Sequence, residues 1–574
     1  MKINEVTIEK FRSIKKAILH MNDITAVVGE NNAGKTAVLR AINAVLNFKY
    51  EEDGFLKKTH QYAPRTNSHI TIVFGDVPKR EIYEGKTVDR RLTLKFTYSY
   101  SDSRRRYSII IGRENITADE MFLKELAKDI RYVYIPAGRT NKDVKWQQNS
   151  IFQELITSYA AKHTENRDRI SGYVRKATEK IHDSIFIKLE KDINGLYMQN
   201  HDMDFRIGFP ENLDYTVLLE NTEISLNGEG YNYLLKEWGS GTKSLAIIAM
   251  HRANALLNSG SIVLGIEEPE INLHPQAQKR FIMSLRNQMH KNETQAIFTT
   301  HSTVLVDELD HDDIILVRRV KDESRGFYSN ISQLGIDFWS RNNIEEFKHY
   351  QYFRYRNSEF FFSEFVVVAE SKNDCQVFEK LVTPSIGEKA ADISYLNAEG
   401  VESIKYPYFL LKELQIPFVI VVDRDFFFPY AVDNKLEESR NTSTGLPAYA
   451  GELKSTEVIK QLITTQSDRD KIANAHKKGY RVFFEEIKKH HILSMNYCLE
   501  MDLTCSSKAR DEYYKMLNIL PVNQNQKFLL ISNKKSIKDI GKIIKILDAI
   551  PKRTYPESFI KIRNAIIEEI NTYM

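Results

Sequence analysis

The sequence predicts an α/β protein with two domains in tandem. Three observations carry that reading. A Gly-rich loop, Gly29-Glu-Asn-Asn-Ala-Gly-Lys-Thr36, stands between the apolar run Ile24–Val28 and a helical pattern that begins at Ala37. A second apolar run, Ser261–Ile266, ends in Glu267-Glu268. Past a charged and aromatic stretch without clear period, residues 306–360, a fresh alternation starts with Phe365–Ala369 and Phe418–Val422, each followed at once by an acid. The 574 residues suffice for about two to four domains. The boundary is placed so that 1–345 and 346–574 form the two parts.

The elements follow in order. Ile3, Val6 and Ile8 belong to a first strand, and Ile24–Val28 is a short buried strand. Val38, Leu39, Ile42, Val45 and Leu46 repeat at helical spacing. His69–Phe74 and Leu92–Phe96 alternate like antiparallel strands. Residues 150–200 are polar and helical in character, with Ile170, Val174, Ala177 and Ile181 three to four apart; they read equally as a dimerisation arm or as helices packed on their own domain. A helix from Lys243, the strand Ser261–Ile266, a helix Pro275–His290 and a strand Ala296–Thr299 restore the α/β alternation. From about residue 430 the chain reads as mostly helical.

Composition excludes several classes. With 42% hydrophobic and 28% charged residues, the chain is neither disordered, collagen-like nor disulfide-stapled. Lys plus Arg (81) nearly balances Asp plus Glu (77), so any nucleic-acid surface must be a local patch. Three cysteines, Cys375, Cys498 and Cys505, are too few and scattered for a zinc site, and fit a reducing cytoplasm. No apolar run approaches the ~20 residues that span a bilayer, so no membrane partner is expected. Met1-Lys-Ile-Asn-Glu-Val reads as a strand, not a secretory leader.

The loop Gly29–Thr36 fits G-x-x-x-x-G-K-[ST], with a strand before it and a helix after it. Backbone N–H groups of such a loop, here including Asn31, Asn32 and Gly34, cradle phosphates at a helix N-terminus. Lys35 can reach the β- and γ-phosphates, and Thr36 can ligate Mg²⁺. Glu267 and Glu268 at a strand end suit a magnesium ligand and a group that polarises water. His301, after the next strand, can contact a γ-phosphate. These pieces, with Ile8-Glu-Lys-Phe-Arg-Ser-Ile14, resemble the ABC-type ATPase head of the SMC and RecF kind. The resemblance implies ATP with one Mg²⁺, and a homodimer with ATP sandwiched between heads. Trp238-Gly-Ser240-Gly241-Thr-Lys-Ser244 stands where the signature motif lies, and would offer N–H groups to a partner's γ-phosphate. It departs from Leu-Ser-Gly-Gly-Gln, and Glu267 replaces the usual Asp. The first departure keeps the physical point, with Ser240-Gly241 at a helix start; the second leaves open whether ATP is hydrolysed or only sensed.

The second alternation carries acids. Glu370 ends one strand, Asp374 lies four residues on, and Asp423-Arg424-Asp425 ends another. In open α/β sheets ligands bind beyond the carboxyl ends of strands, so these acids share one rim. Like charges raise each other's pKa, and divalent metal relieves that; all-oxygen donors favour Mg²⁺ or Mn²⁺. The bland alternative is ordinary loop acids. The pattern resembles a Toprim domain, although Ser371 stands where Toprim usually has Gly. Asn397-Ala-Glu399-Gly400 resembles the intervening turn.

An ABC-type head followed by a Toprim domain with a helical C-terminal part is similar to the OLD family of ATPase-nucleases, over nearly the whole chain. That resemblance implies a divalent-metal-dependent DNA endonuclease regulated by ATP, with two metals in the Toprim site. It also implies a homodimer or tetramer. The family includes standalone nucleases, the nuclease of Gabija-type phage defence, and retron effectors, whose partners would be a helicase-like protein or a reverse transcriptase with RNA–DNA. Family members use a further acid and a late lysine. Glu500 is the first choice of acid and Asp502 the second; Lys542 is the first choice of lysine and Lys538 the second. The family expects Lys before Gly, whereas Lys542 follows Gly541. A lysine-rich helix is also simply a solvated face. Arg104-Arg105-Arg106 and Lys142–Lys145 are local basic clusters that either meet DNA phosphates or are solvated charge runs. Two rivals remain: a nuclease held inactive by a partner, and an ATP-driven clamp without nuclease activity.

Overall fold

The structure, a computed structural model, describes residues 1–140, 142–145, 147, 150–162, 167–196, 206–207, 209, 216–220, 222–228, 231–257, 260–292, 294–322, 326–345 and 358–574. The chain divides into two compact units: Met1–Val306 with Val317–Ile331, and Asp307–Leu316 with Ser332–Met574. Residues 307–316 and 332–345, both grouped with the first part by sequence, thus fall in the second unit.

The first unit is built from β1 (Lys2–Phe11), β2 (Ile14–His20), β3 (Ile24–Val28), β4 (Ser68–Gly75), β5 (Leu92–Ser99), β6 (Arg104–Ile111), β7 (Glu114–Thr117) and β8 (Ile130–Ile135). A small pair, β9 (Ser225–Gly228) and β10 (Tyr231–Leu234), follows. Then come β11 (Ser261–Glu267), β12 (Thr294–Thr300), β13 (Ile314–Asp322) and β14 (Gly326–Gln333). One sheet takes the order β7-β6-β5-β4-β1-β2-β14-β13-β3-β12-β11-β8. Its two ends obey different rules. β3, β12, β11 and β8 pair in parallel, and every residue of β3, β11 and β12 is buried. Strands covered on both faces carry unbroken apolar runs, which is why these were conspicuous in the sequence. β4 and β5 pair antiparallel and alternate buried with half-buried residues, as a sheet with one wetter face requires.

β13 and β14 lie in the stretch that shows no sequence period. Ile314–Val317 are buried, after which Arg318 and Arg319 begin an alternating half. A strand that changes environment midway matches neither template. The arm region holds helices Ile151–Lys162, Arg167–Ile181 and Ile187–Leu196, with a π-helical turn at His182–Phe186. Tyr173, Ile185 and Leu189 there are exposed.

The second unit centres on a four-stranded, all-parallel sheet. Its strands are β15 (Phe365–Ala369), β16 (Ile393–Asn397), β17 (Phe418–Val422) and β18 (Ile492–Ser494), in the order β16-β15-β17-β18. The helix Lys372–Ile386 covers one face with Phe378, Leu381 and Val382. The last helix, Glu557–Tyr573, adds Phe559, Ile562 and Ile566 to the same core. The C-terminal helices therefore complete this core. β18 escapes sequence reading because three residues give no period.

Candidate functional site

In the first unit, β3 delivers the loop Gly29–Thr36 to the start of the helix Lys35–Leu46. Gly29 has φ +146°, and a Cβ there would stand 2.0 Å from the Val317 backbone oxygen. Gly34 has φ +109° and is pressed by the hydroxyls of Ser329 and Ser13. Ser329 Oγ donates to the Ala33 carbonyl at 2.5 Å and accepts from Ser13 Oγ at 2.7 Å. The loop is therefore clamped by residues far away in sequence. Lys35 Nζ donates to the Gly29 and Glu30 carbonyls at 3.0 and 2.7 Å. Burial pulls its pKa down to about 8.

A cavity of about 860 Å³ opens on this loop, with Asn31, Asn32, Gly34, Lys35 and Thr36 on one side and Glu267, Glu268 and His301 opposite. Glu267 accepts from Tyr134 Oη at 2.7 Å and from the Ala137 N–H at 3.2 Å. Glu268 sits at φ +42°, its N–H bonded to the Thr299 carbonyl at 3.0 Å and its own carbonyl taking Arg139 at 2.6 Å. Burial, then the Lys35 charge, pulls His301 down to about 4. His301 is thus neutral at pH 7, and its Nε2 lies 3.7 Å from Glu268. Glu270 fixes the His301 backbone N–H at 2.7 Å. Sequence reasoning missed Glu270, Tyr134, Arg139, Arg12 and Arg40, which lie around or behind this cavity. Ser240 and Gly241 begin the helix Ser240–Leu256 but do not line it; a Cβ on Gly241 would meet the Asn272 carbonyl at 2.5 Å.

In the second unit, Glu370, Asp374, Asp423, Asp425 and Glu500 line one cavity of about 370 Å³. Glu370 and Asp423 follow the parallel neighbours β15 and β17, and the Asp423 N–H points at Glu370 Oε2, 3.4 Å away. Ser371 explains its own departure from glycine. It caps the helix Lys372–Ile386, with Oγ donating to Asp374 Oδ2 at 2.6 Å and its N–H to the same oxygen at 3.0 Å. Asp374 is thus a capping-box partner as well as a cavity acid. Burial, followed by the neighbouring carboxylates, pushes Glu370 and Asp423 up; burial also raises Asp374 against the Ser371 bonds. Tyr430 Oη donates to Asp425 at 3.2 Å, and Lys454 to the Asp425 backbone carbonyl.

The two late assignments divide. Glu500 lines the cavity and pairs with Lys538 at 3.0 Å. Asp502 does not line it: fully buried, it accepts the N–H groups of Asn496 and Tyr497 at 2.8 and 2.9 Å. Residues two apart on a helix point about 200° apart, so only one can face the cavity. Lys538 lines the cavity, whereas Lys542, the first choice by sequence, does not. Asp539 caps the helix Ile540–Ala549 through the Lys542 N–H, and the Lys542 ammonium stays beside it at 3.8 Å.

The donor set is all oxygen and its buried acids resist ionising together, which suits a hard divalent cation. Among the described residues no three side chains close into a metal cage. The basic cluster on β6 is partly engaged: Arg105 lies 4.6 Å over Phe48 and 3.8 Å from Glu120, and Arg106 3.8 Å from Asp102. No described helix is long and apolar enough to cross a membrane.

Comparison with known proteins adds the kinship. Residues 24–307 match the family of the AAA domain, AbiEii toxin, type IV TA system. Residues 361–425 match the TOPRIM domain of overcoming lysogenization defect protein-like chains. The OLD nuclease of Thermus scotoductus (strain ATCC 700910 / SA-01) is 24% identical over 481 residues, 76% of this chain and 84% of that protein. Endonuclease GajA of Bacillus cereus (strain HuB5-5) is 23% identical over 339 residues, 55% of this chain and 46% of that protein. Among solved structures, the Smc head bound to the C-winged helix domain of ScpA is 17% identical, covering 59% of this chain and 100% of that one. Its TM-score of 0.38 is too low to carry an argument. The chain is thus similar to OLD nucleases over most of its length, with a region matching an AAA-type ATPase domain followed by one matching an OLD-like Toprim domain.

Proposed function

We propose that this chain is an OLD-family, divalent-metal-dependent DNA endonuclease whose cutting is controlled by ATP. The observation that carries the reading is the single cavity that gathers Glu370, Asp374, Asp423, Asp425 and Glu500 with Lys538 at its edge. Glu370, Asp423, Asp425 and Glu500 would hold Mg²⁺ or Mn²⁺, two ions in all, and Asp374 would hold the rim through Ser371. When bound, the metals supply a water nucleophile at neutral pH and charge stabilisation for the leaving oxygen. The protein's own part is to position the strand and offset its charge. Lys538, already the partner of Glu500, would meet the phosphate, with Lys534 also in the lining.

ATP with Mg²⁺ would sit on Gly29–Thr36, with Thr36 and Glu267 toward the metal, Glu268 toward water and His301 as a neutral contact to the γ-phosphate. Ser240 and Gly241, which do not line their own chain's cavity, suit service to a second head; this supports a homodimer, with the arm helices as a further contact. The similarity to Endonuclease GajA supports a role in anti-phage defence.

The test is cleavage of supercoiled plasmid with Mg²⁺ or Mn²⁺, with and without ATP, beside an Asp423→Ala variant. Metal-dependent nicking that disappears in the variant supports the nuclease. Equal cutting by Asp423→Ala sinks it. No cutting by either, with ATP bound, favours the partner-held effector or the clamp, which co-purification then separates.

A further inference from the structure

Beside its acidic cavity the second unit carries a basic one. A hollow of about 520 Å³ is lined by Lys454, Lys460, Arg469 and Lys477, against two carboxylates, Glu452 and Asp470. Lys460 and Lys477 are exposed, and neither has a carboxylate partner among the described residues. Arg469 is committed inward: its guanidinium donates to the Ile463 and Thr464 carbonyls at 2.5 and 3.0 Å and braces the wall. The stem of Lys477 lies over Gly451, where a Cβ would stand 3.1 Å from Lys477 Cε.

Two links tie this hollow to the acids. Lys454 belongs to its lining and donates to the backbone carbonyl of Asp425; its charge also opposes the upward shift of Glu370. The second link is Arg424, the middle residue of Asp423-Arg424-Asp425. Its guanidinium is buried, lies 3.8 Å over the Phe483 ring and donates to His476 Nδ1. His476 stacks on Phe428 at 3.7 Å, and its Nε2 bonds the Ala450 carbonyl at 3.1 Å. The helix Gln466–Lys477 and the segment carrying Lys454 are therefore fastened to the turn that presents Asp423 and Asp425.

We infer that this hollow seats the phosphodiester backbone of the DNA strand next to the phosphate being cut. The inference rests on the nuclease reading. An acidic cavity handles the scissile phosphate, yet the phosphates on either side need cations. One strand repeats its charge about every 3.4 Å along the axis. The unpaired lysines stand on a frame locked to the acids, so a backbone held there has a fixed register toward the cavity.

The experiment uses the full chain carrying Asp423→Ala, in Ca²⁺, with fluorescein-labelled duplex and single-stranded DNA. Binding is measured between roughly 50 and 300 mM KCl for the parent and for Lys460→Glu/Lys477→Glu. The exposed pair Lys552→Glu/Arg553→Glu, outside this lining, is the charge-matched control. The double variant is expected to lose on the order of ten-fold in affinity. Its log K against log salt should be shallower by about 0.9 for each duplex phosphate no longer neutralised, or about 0.7 for each phosphate of a single strand. A Lys460→Gln/Lys477→Gln pair should move the same way by less, and guards against misfolding by charge reversal. Affinity and slope equal to the parent, or no different from Lys552→Glu/Arg553→Glu, overturn the proposal and leave a solvated lysine face. Plasmid cutting by the chain without Asp423→Ala is scored separately. Its absence moves the reading to the partner-held effector or the clamp, while the binding comparison still decides the hollow.

Discussion

Glu500 and Asp502 stand two residues apart on one short helix, yet the structure gives them opposite duties, and substitution separates them. Asp502 is 1% exposed and accepts two backbone N–H bonds, from Asn496 and Tyr497. Burial raises the Asp502 pKa to about 7, so near neutrality each bond falls between the about 0.5–1.5 kcal/mol of a neutral pair and the about 1.5–3 kcal/mol of a charged one. Asp502→Ala removes both and leaves two partly buried donors to find water, so we expect a loss of about 2–4 kcal/mol. For a unit of this size each kcal/mol moves Tm by roughly 2–4 °C, giving a drop of about 5–15 °C. Glu500 makes one ion pair, to a Lys538 side chain that is 54% exposed. Such pairs contribute about 0–1 kcal/mol, so Glu500→Gln should melt within about 3 °C of the parent. The assay is a thermal melt in EDTA, repeated across a Mn²⁺ titration. Asp502→Ala should melt early yet still gain stability from metal. Glu500→Gln should melt normally and gain less than the parent. The reverse pattern would refute the division of roles.

Two further outcomes are expected. Because burial and mutual repulsion raise Glu370, Asp374 and Asp423, the folded metal-free protein keeps protons that the unfolded chain has released. Stability in EDTA should therefore fall as pH rises from the ordinary carboxylate range through the raised values toward neutrality. Metal should restore it more at pH 8 than at pH 5.5, by about 2.7 kcal/mol at one hundred times Kd; a metal increment that is larger at pH 5.5 would contradict this. In the ATPase domain, Gly29→Ala places a Cβ 2.0 Å from the Val317 backbone oxygen at φ +146°, which β13 can relieve only by moving. Nucleotide binding, followed with a fluorescent ATP analogue, should fall by at least ten-fold; parent-like affinity would show the loop to be less constrained.

What the sequence disclosed and what it hid have physical reasons. Gly29–Thr36 and Asp423–Asp425 are contiguous, and each follows a strand buried on both faces, so composition alone marked them. The antiparallel strands β4 and β5 announced themselves by alternation. Choices that hinge on orientation were illegible. Lys538 closes the short helix Lys534–Ile537 and Lys542 stands in the first turn of Ile540–Ala549, so the break between them, capped by Asp539, separates the lysine that lines the cavity from the one that does not. Arg139 and Tyr134 act on Glu267 and Glu268 from the far end of β8, a proximity with no periodic trace. The late strand β18 is too short to signal, although it completes the parallel sheet.

The clamp on the phosphate loop has a consequence for biosynthesis. The loop is encoded by Gly29–Thr36, yet β3, which delivers it, lies between β12 and β13 in the sheet, and Ser329 closes over Ala33 and Gly34. Every one of those neighbours is translated after residue 293. A chain emerging N-terminus first from the ribosome carries its phosphate loop through about 260 further residues with no strand to flank it. The nascent protein is therefore unable to hold nucleotide until its ATPase domain is nearly finished, and by then the Toprim acids are next to appear.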